Sequence, residues 1–155
     1  MSRWTKLTTA ALVAAAMTTM AGPGRANVDA EVRGGYYTDA EQGFVGGGFL
    51  ANIADTWDFN PNLEYVFVDG GSLFTVNADI HKDLNPGSGP AFWLGAGPAL
   101  IVSNPDVPDA DTDTDIGLNL IGGIGAKSGS IRPFGQAKYT IADENELSMA
   151  LGLRF

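Results

Sequence analysis

Residues able to do chemistry are sparse in this chain. Its only histidine is His81, and cysteine is absent. A catalytic imidazole works beside a nucleophile. No Ser or Cys stands at a spacing that would pair with His81, so it is read as structural and no catalytic residue is assigned. Gly43-Phe44-Val45-Gly46-Gly47-Gly48 has the glycines of a phosphate loop but neither its Lys-Ser/Thr ending nor a following helix. The most distinctive polar stretch is Asp106-Val107-Pro108-Asp109-Ala110-Asp111-Thr112-Asp113-Thr114-Asp115. Its alternate carboxylates, Asp109, Asp111, Asp113 and Asp115, could converge on a hard cation such as calcium, which takes roughly six to eight oxygens. An EF-hand beginning at Asp109 needs Gly at its sixth position and Glu at its twelfth, where this chain has Thr114 and Leu120. The stretch is therefore read as a loop kept soluble by charge. No metal and no cofactor are assigned, and the four aspartates stand only as a minor cation candidate.

What remains is a set of charges scattered through apolar runs: Asp29, Glu31, Arg33, Glu64, Asp79, Arg132, Lys138, Glu146 and Arg154. Side chains on a strand alternate between two faces, so the elements that position these charges can be read from parity. In the last stretch, Leu147, Met149, Leu151, Leu153 and Phe155 share one face, while Glu146, Ser148, Ala150, Gly152 and Arg154 share the other. Similar alternation runs through Val28–Tyr37, Gly43–Ala54, a run from Trp57 to Phe67, Phe74–His81, Pro90–Val102, Asp115–Ala126 and Ile131–Ile141. Turn-forming residues separate these runs, among them Asp69-Gly70-Gly71, Asn85-Pro86-Gly87 and Asp143-Glu144-Asn145. No stretch beyond residue 26 has the period of an amphipathic helix, which argues against a βαβ enzyme fold. Pro98 and Pro133 fall inside predicted strands, where each removes a ladder donor, and they suggest bulges or shifted strand limits there.

The parity bearing the charges also carries Gly46, Gly48, Gly95, Gly97, Gly117, Gly123, Gly125 and Gly152. A water-facing surface would be richer in Lys, Glu, Ser and Thr. Small residues with a few charges of both signs suit a narrow lumen, and the large apolar parity then faces outward, as in a membrane barrel. Eight strands enclose an interior that side chains fill, so a conducting pore is not expected. Trp57, Phe59, Tyr36, Tyr37, Phe92 and Tyr139 lie near predicted strand ends, where a headgroup-level girdle would sit.

Residues 1–26 read as a secretory signal peptide: Arg3 and Lys6, an uncharged run from Leu7 to Met20, then Gly24-Arg25-Ala26, with cleavage after Ala21 as an alternative. Its removal takes away three of the nine basic residues and none of the 18 acidic ones. A net charge of −9 and the absence of a Lys/Arg cluster argue against a nucleic-acid partner. The 155 residues are a prior for one domain, here 27–155. A small exported domain without disulfides must find stability elsewhere, and closing a sheet on itself is one route.

The ending in Leu151, Leu153 and a final Phe155 resembles the C-terminal signature of bacterial outer-membrane β-barrels, which the barrel-assembly machinery reads. Asn60 to Leu84, Gly123 to Lys127 and Ile131 to Tyr139 extend that resemblance to the small OmpA/OmpX-like outer-membrane barrel family. The resemblance implies an all-β, eight-stranded antiparallel up-and-down transmembrane barrel with periplasmic termini and turns and outward loops. The expectation is a monomeric, non-enzymatic outer-membrane protein with a structural or surface-interaction role, its loop Ser103 to Asp115 the outward contact surface. Its partners would be outer-membrane lipid and lipopolysaccharide, with divalent cations bridging the acidic loop to lipopolysaccharide phosphates as a minor possibility. Two alternatives make distinct demands. A soluble periplasmic lipocalin-like barrel binding a small apolar ligand would place the large apolar residues inside. A lipid-modifying barrel enzyme would place His81 beside a Ser or carboxylate at the bilayer edge.

Overall fold

The computed structural model describes residues 28–106 and 111–155. The predicted signal peptide lies outside the described residues, as does Asp109.

Eight strands follow one another: β1 (Val28–Tyr37), β2 (Gln42–Ala54), β3 (Trp57–Val66), β4 (Gly71–Asp83), β5 (Ala91–Pro105), β6 (Asp113–Gly125), β7 (Arg132–Ile141) and β8 (Glu146–Arg154). Each pairs antiparallel with its sequence neighbours, and β1 pairs with β8, so the sheet closes in the order β1 to β8. The closing seam runs from Glu31 opposite Arg154 to Tyr37 opposite Ser148. Closure removes the free edges that would otherwise expose unpaired backbone groups. The chain therefore adopts the expected all-β, eight-stranded up-and-down barrel.

Strand limits and irregularities differ from the sequence reading around the acidic stretch and the prolines. β5 continues to Pro105 and β6 begins at Asp113, with Ser103 opposite Asp113 and Ile101 opposite Asp115. The acidic connection is thus 106–112, shorter than Ser103 to Asp115, because acidic residues at a barrel rim stay in the ladder while their side chains reach water. No bulge forms at Pro98. The β4–β5 register is the same on both sides of it, with Asn77 opposite Ala99 and Ile80 opposite Ala96. Pro133 sits second in β7, and its carbonyl accepts from the Ala126 amide at 2.9 Å. The irregularity instead falls between Asn52 and Ala54, beside the two-residue β2–β3 turn.

Connections 38–41, 67–70, 106–112 and 142–145 lie at one end of the barrel. Connections 55–56, 84–90 and 126–131 lie at the other, with both ends of the described barrel. The first will be called the loop end and the second the terminal end. Gly70 takes φ +72° in the β3–β4 turn, a left-handed conformation natural to glycine.

The large apolar residues face outward: Leu151 is 75% exposed, Ile116 74% and Leu94 58%. The inward parity is polar and buried, including Glu31, Glu64, Asp79, Asn119 and Lys138. A lipocalin-like interior would show the opposite arrangement. Two small apolar layers close off the lumen. Toward the loop end, Tyr37, Phe44, Val66 and Ala150 pack with Val68 and Leu73. Toward the terminal end, Trp93, Ile121 and Phe134 pack with Ala91.

Candidate functional site

Between the two apolar layers lies the polar lumen, built rung by rung from inward-facing residues of neighbouring strands. Glu31 and Arg33 sit two apart on β1 and pair with each other. Glu31 also accepts from Arg154 Nε on β8 at 3.0 Å and from Asn60 Nδ2 on β3 at 2.9 Å, while Arg33 Nη2 donates to Asn60 Oδ1 at 2.9 Å. Glu64 is the second hub. It accepts from Tyr37 OH at 2.6 Å, Lys138 Nζ at 2.6 Å and Thr75 Oγ1 at 3.2 Å, with Arg33 Nη1 at 3.6 Å. Lys138 stands on β7 and Glu64 on β3, four strands apart in a ring of eight, so this ion pair crosses the lumen from wall to wall.

Asp79 has no Lys or Arg within ion-pair distance among the described residues. Two amides hold it, Asn119 Nδ2 at 2.9 Å and Asn62 Nδ2 at 3.1 Å. The amides continue as a ladder: Asn119 Nδ2 donates to Asn77 Oδ1, Asn77 Nδ2 to Asn62 Oδ1, and Thr140 Oγ1 to Asn119 Oδ1. Buried charge is tolerated when paired and fully hydrogen-bonded; the carboxylates meet this condition, while Arg33 Nε and Nη1 and Arg154 Nη2 have no hydrogen-bond partner among the described residues.

Six of the nine predicted lumen charges thus come together: Glu31, Arg33, Glu64, Asp79, Lys138 and Arg154. Asp29 and Arg132 pair separately at 2.6 Å, partly exposed at the terminal end. Glu146 lies at the loop end, where its two oxygens accept the amides of Asp39 at 2.8 Å and Ala40 at 3.0 Å. Sequence reasoning missed Asn60, Asn62, Asn77, Asn119, Tyr37, Thr75 and Thr140 as network members. Their parity was the available signal: each shares the face of a predicted lumen charge or, for Asn119, of the predicted lumen glycines Gly117 and Gly123. Tyr37 also departs from its predicted girdle place. It follows Tyr36 directly, so only one of the two can face outward, and Tyr37 is the buried one.

Close packing explains the inward glycines. A Cβ on Gly123 would strike the Trp93 ring, and one on Gly152 the Phe134 ring. The Arg154 guanidinium lies over both rings, 4.7 Å from the Trp93 centroid and 4.4 Å from that of Phe134. His81 is buried and stacks on Trp93 with centroids 6.0 Å apart; its Nε2 has no hydrogen-bond partner among the described residues. That is not the His–Ser or His–carboxylate pairing a lipid-modifying site would need. Chemically, the lumen is a set of cross-braces.

Loop-end acids are used locally or exposed. Asp113 Oδ1 accepts the Thr114 amide at 3.0 Å, and Asp115 accepts from Ile116 at 2.7 Å and Asp143 at 3.1 Å, while Asp111 is exposed. Among the described residues no three His, Cys, Asp or Glu side chains gather as a metal cluster. Leu151 and Leu153 face outward on β8, and Phe155 follows it, exposed.

The same architecture occurs in solved structures. The N-terminal β-barrel domain of Pseudomonas aeruginosa OprF matches with a TM-score of 0.66 at 19% identity, over 83% of this chain and 95% of that one. Neisserial surface protein A (NspA) matches with a TM-score of 0.64 at 16% identity, over 82% of this chain and 94% of that one. Both are outer-membrane eight-stranded barrels. No family model matches the sequence, and neither does any curated protein.

Proposed function

We propose that this chain is a non-enzymatic outer-membrane barrel that presents a rigid, side-chain-filled scaffold and uses its loop end as a surface for interaction. One observation carries the reading: the outward wall is apolar around the whole ring, while all charges within the strands but Lys82 turn inward and are mostly paired. On β4 the outward apolar residues Phe74, Val76, Ala78 and Ile80 are bracketed by Ser72 and Lys82. The ten steps from Ser72 to Lys82, at about 3.3 Å each on a strand tilted by roughly 40°, set these polar brackets about 25 Å apart along the barrel axis, matching the height of the apolar band of an outer-membrane barrel. In water such a wall would be an aggregation surface.

Signal-peptide export through residues 1–26 fits this location and sets the terminal end in the periplasm. The loop end then faces outward. It carries Asp39, Glu41, Asp69, Asp106, Asp111, Asp113, Asp115, Asp143, Glu144 and Glu146, and no Lys or Arg among the described residues. Contact of that end with lipopolysaccharide phosphates would run through divalent cations, since carboxylate and phosphate repel each other.

The test is fractionation of the expressed protein, with gel mobility in detergent compared before and after heating. Recovery in the outer membrane with a heat-dependent shift in mobility is expected. Recovery as a soluble periplasmic protein that needs no detergent would overturn the reading.

A further inference from the structure

Six Lys and Arg residues lie between positions 28 and 155, and five have a carboxylate within ion-pair distance. The lumen takes Arg33, Lys138 and Arg154. At the terminal end, Lys127 pairs with Asp83 at 2.8 Å and Arg132 with Asp29 at 2.6 Å. Lys82 has no such partner among the described residues. It is exposed, and it is the single ionisable Lys, Arg, Asp or Glu on the outward parity of any strand. Opposite it stand Trp57 on β3 and Leu94 on β5, both exposed and outward. The Lys82 ammonium lies 5.3 Å from the centroid of the Trp57 ring.

An ammonium on an apolar wall is stable where its head reaches the bilayer interface, and an indole favours the same level. Among the described residues no carboxylate reaches the Lys82 ammonium: Asp83, its chain neighbour, pairs with Lys127 at 2.8 Å, and Asp55, two residues before Trp57, makes no ion pair with it. At that depth the available anions are the phosphates of lipid headgroups, while Ile80 and Leu94 offer an apolar surface for the attached chains. We propose that Lys82 and Trp57 form a binding site for the phosphate of an anionic phospholipid in the leaflet at the terminal end. This site rests on the membrane-barrel reading above and also places the bilayer boundary at the level of this residue pair.

The two requirements can be measured apart. Trp57 faces outward and Trp93 inward, so quenching by lipids brominated near the headgroup should report on Trp57, and Trp57→Phe identifies its share of the signal. The protein purified from membranes is placed in vesicles of phosphatidylcholine and phosphatidylglycerol, with one or the other lipid brominated. The expected result is an enrichment of phosphatidylglycerol beside Trp57 of about fivefold, kept in Lys82→Arg and lost in Lys82→Gln. Both variants should keep the heat-dependent gel shift, because Lys82 is exposed and braces nothing. Equal preference in wild type and Lys82→Gln would overturn the site while leaving the barrel in the bilayer. Absence of quenching by any brominated lipid would overturn the membrane reading, and the site with it. Loss of the preference on adding millimolar soluble glycerophosphate would mean that a free anion is recognised, which overturns the lipid assignment.

Discussion

Glu64 is the residue on which most of the buried polarity converges. It is acceptor for Tyr37, Thr75 and Lys138 and counter-charge for Arg33, and it is almost wholly buried. Removing it leaves Lys138 as an unpaired buried cation. Glu64→Ala is therefore expected to destabilise the barrel by about 3–5 kcal/mol, measured by urea unfolding from lipid vesicles. Lys138→Met added to it should restore part of the loss, because the stranded cation goes too. Strict additivity of the two changes would mean that this ion pair does not couple β3 to β7. Asp79 makes a useful contrast: it is held by two amide donors rather than by a cation, whereas Glu31 and Glu64 have both donors and opposite charge.

Among the elements, β3 shows how a strand accommodates a proline. Gly48 pairs with Asn62 and Ala51 with Phe59, so Phe49 faces Pro61, which has no amide to donate. Asn60 Nδ2 donates to the Phe49 carbonyl at 2.7 Å instead, so a side chain stands in for the missing ladder bond. Asn60→Leu is expected to destabilise by about 1–3 kcal/mol in the wild-type background. The loss should be smaller in a Pro61→Ala background, where residue 61 regains a donor. Equal losses in the two backgrounds, by the same unfolding measurement, would assign the whole effect to the bonds between Asn60, Glu31 and Arg33. Pro61, Pro98 and Pro133 all lie on the outward parity, which keeps their rings out of the crowded lumen.

At the scale of the whole molecule, inside and outside are exchanged relative to a soluble barrel, and charge is divided between the ends. The strand walls between carry no outward charge except Lys82 at the rim. Leu120 stands midway along the outward face of β6, and Ile53 near the β2–β3 turn. Leu120→Arg is expected to destabilise the folded barrel in vesicles by about 2–4 kcal/mol, and Ile53→Arg by roughly 0–1 kcal/mol. Comparable effects at both positions would contradict a wall whose middle lies in hydrocarbon. In the function proposed above, the side-chain-filled lumen braces the barrel as a scaffold for its loops.

The sequence by itself determined the strand count, the alternation of faces and the inversion of apolar and polar sides. These follow from a strict period of two, which a single chain displays without reference to its neighbours. It also identified Glu31, Arg33, Glu64, Asp79, Lys138 and Arg154 as inward charges, because parity is a local property. Only the tertiary structure decided which of them meet. Lys138 reaches Glu64 across 74 positions and Arg154 reaches Glu31 across 123, and those pairings depend on the stagger of closed strands that no local pattern encodes. The same stagger left Lys82 alone on the outer wall beside Trp57, and placed Glu146 at the rim rather than in the lumen.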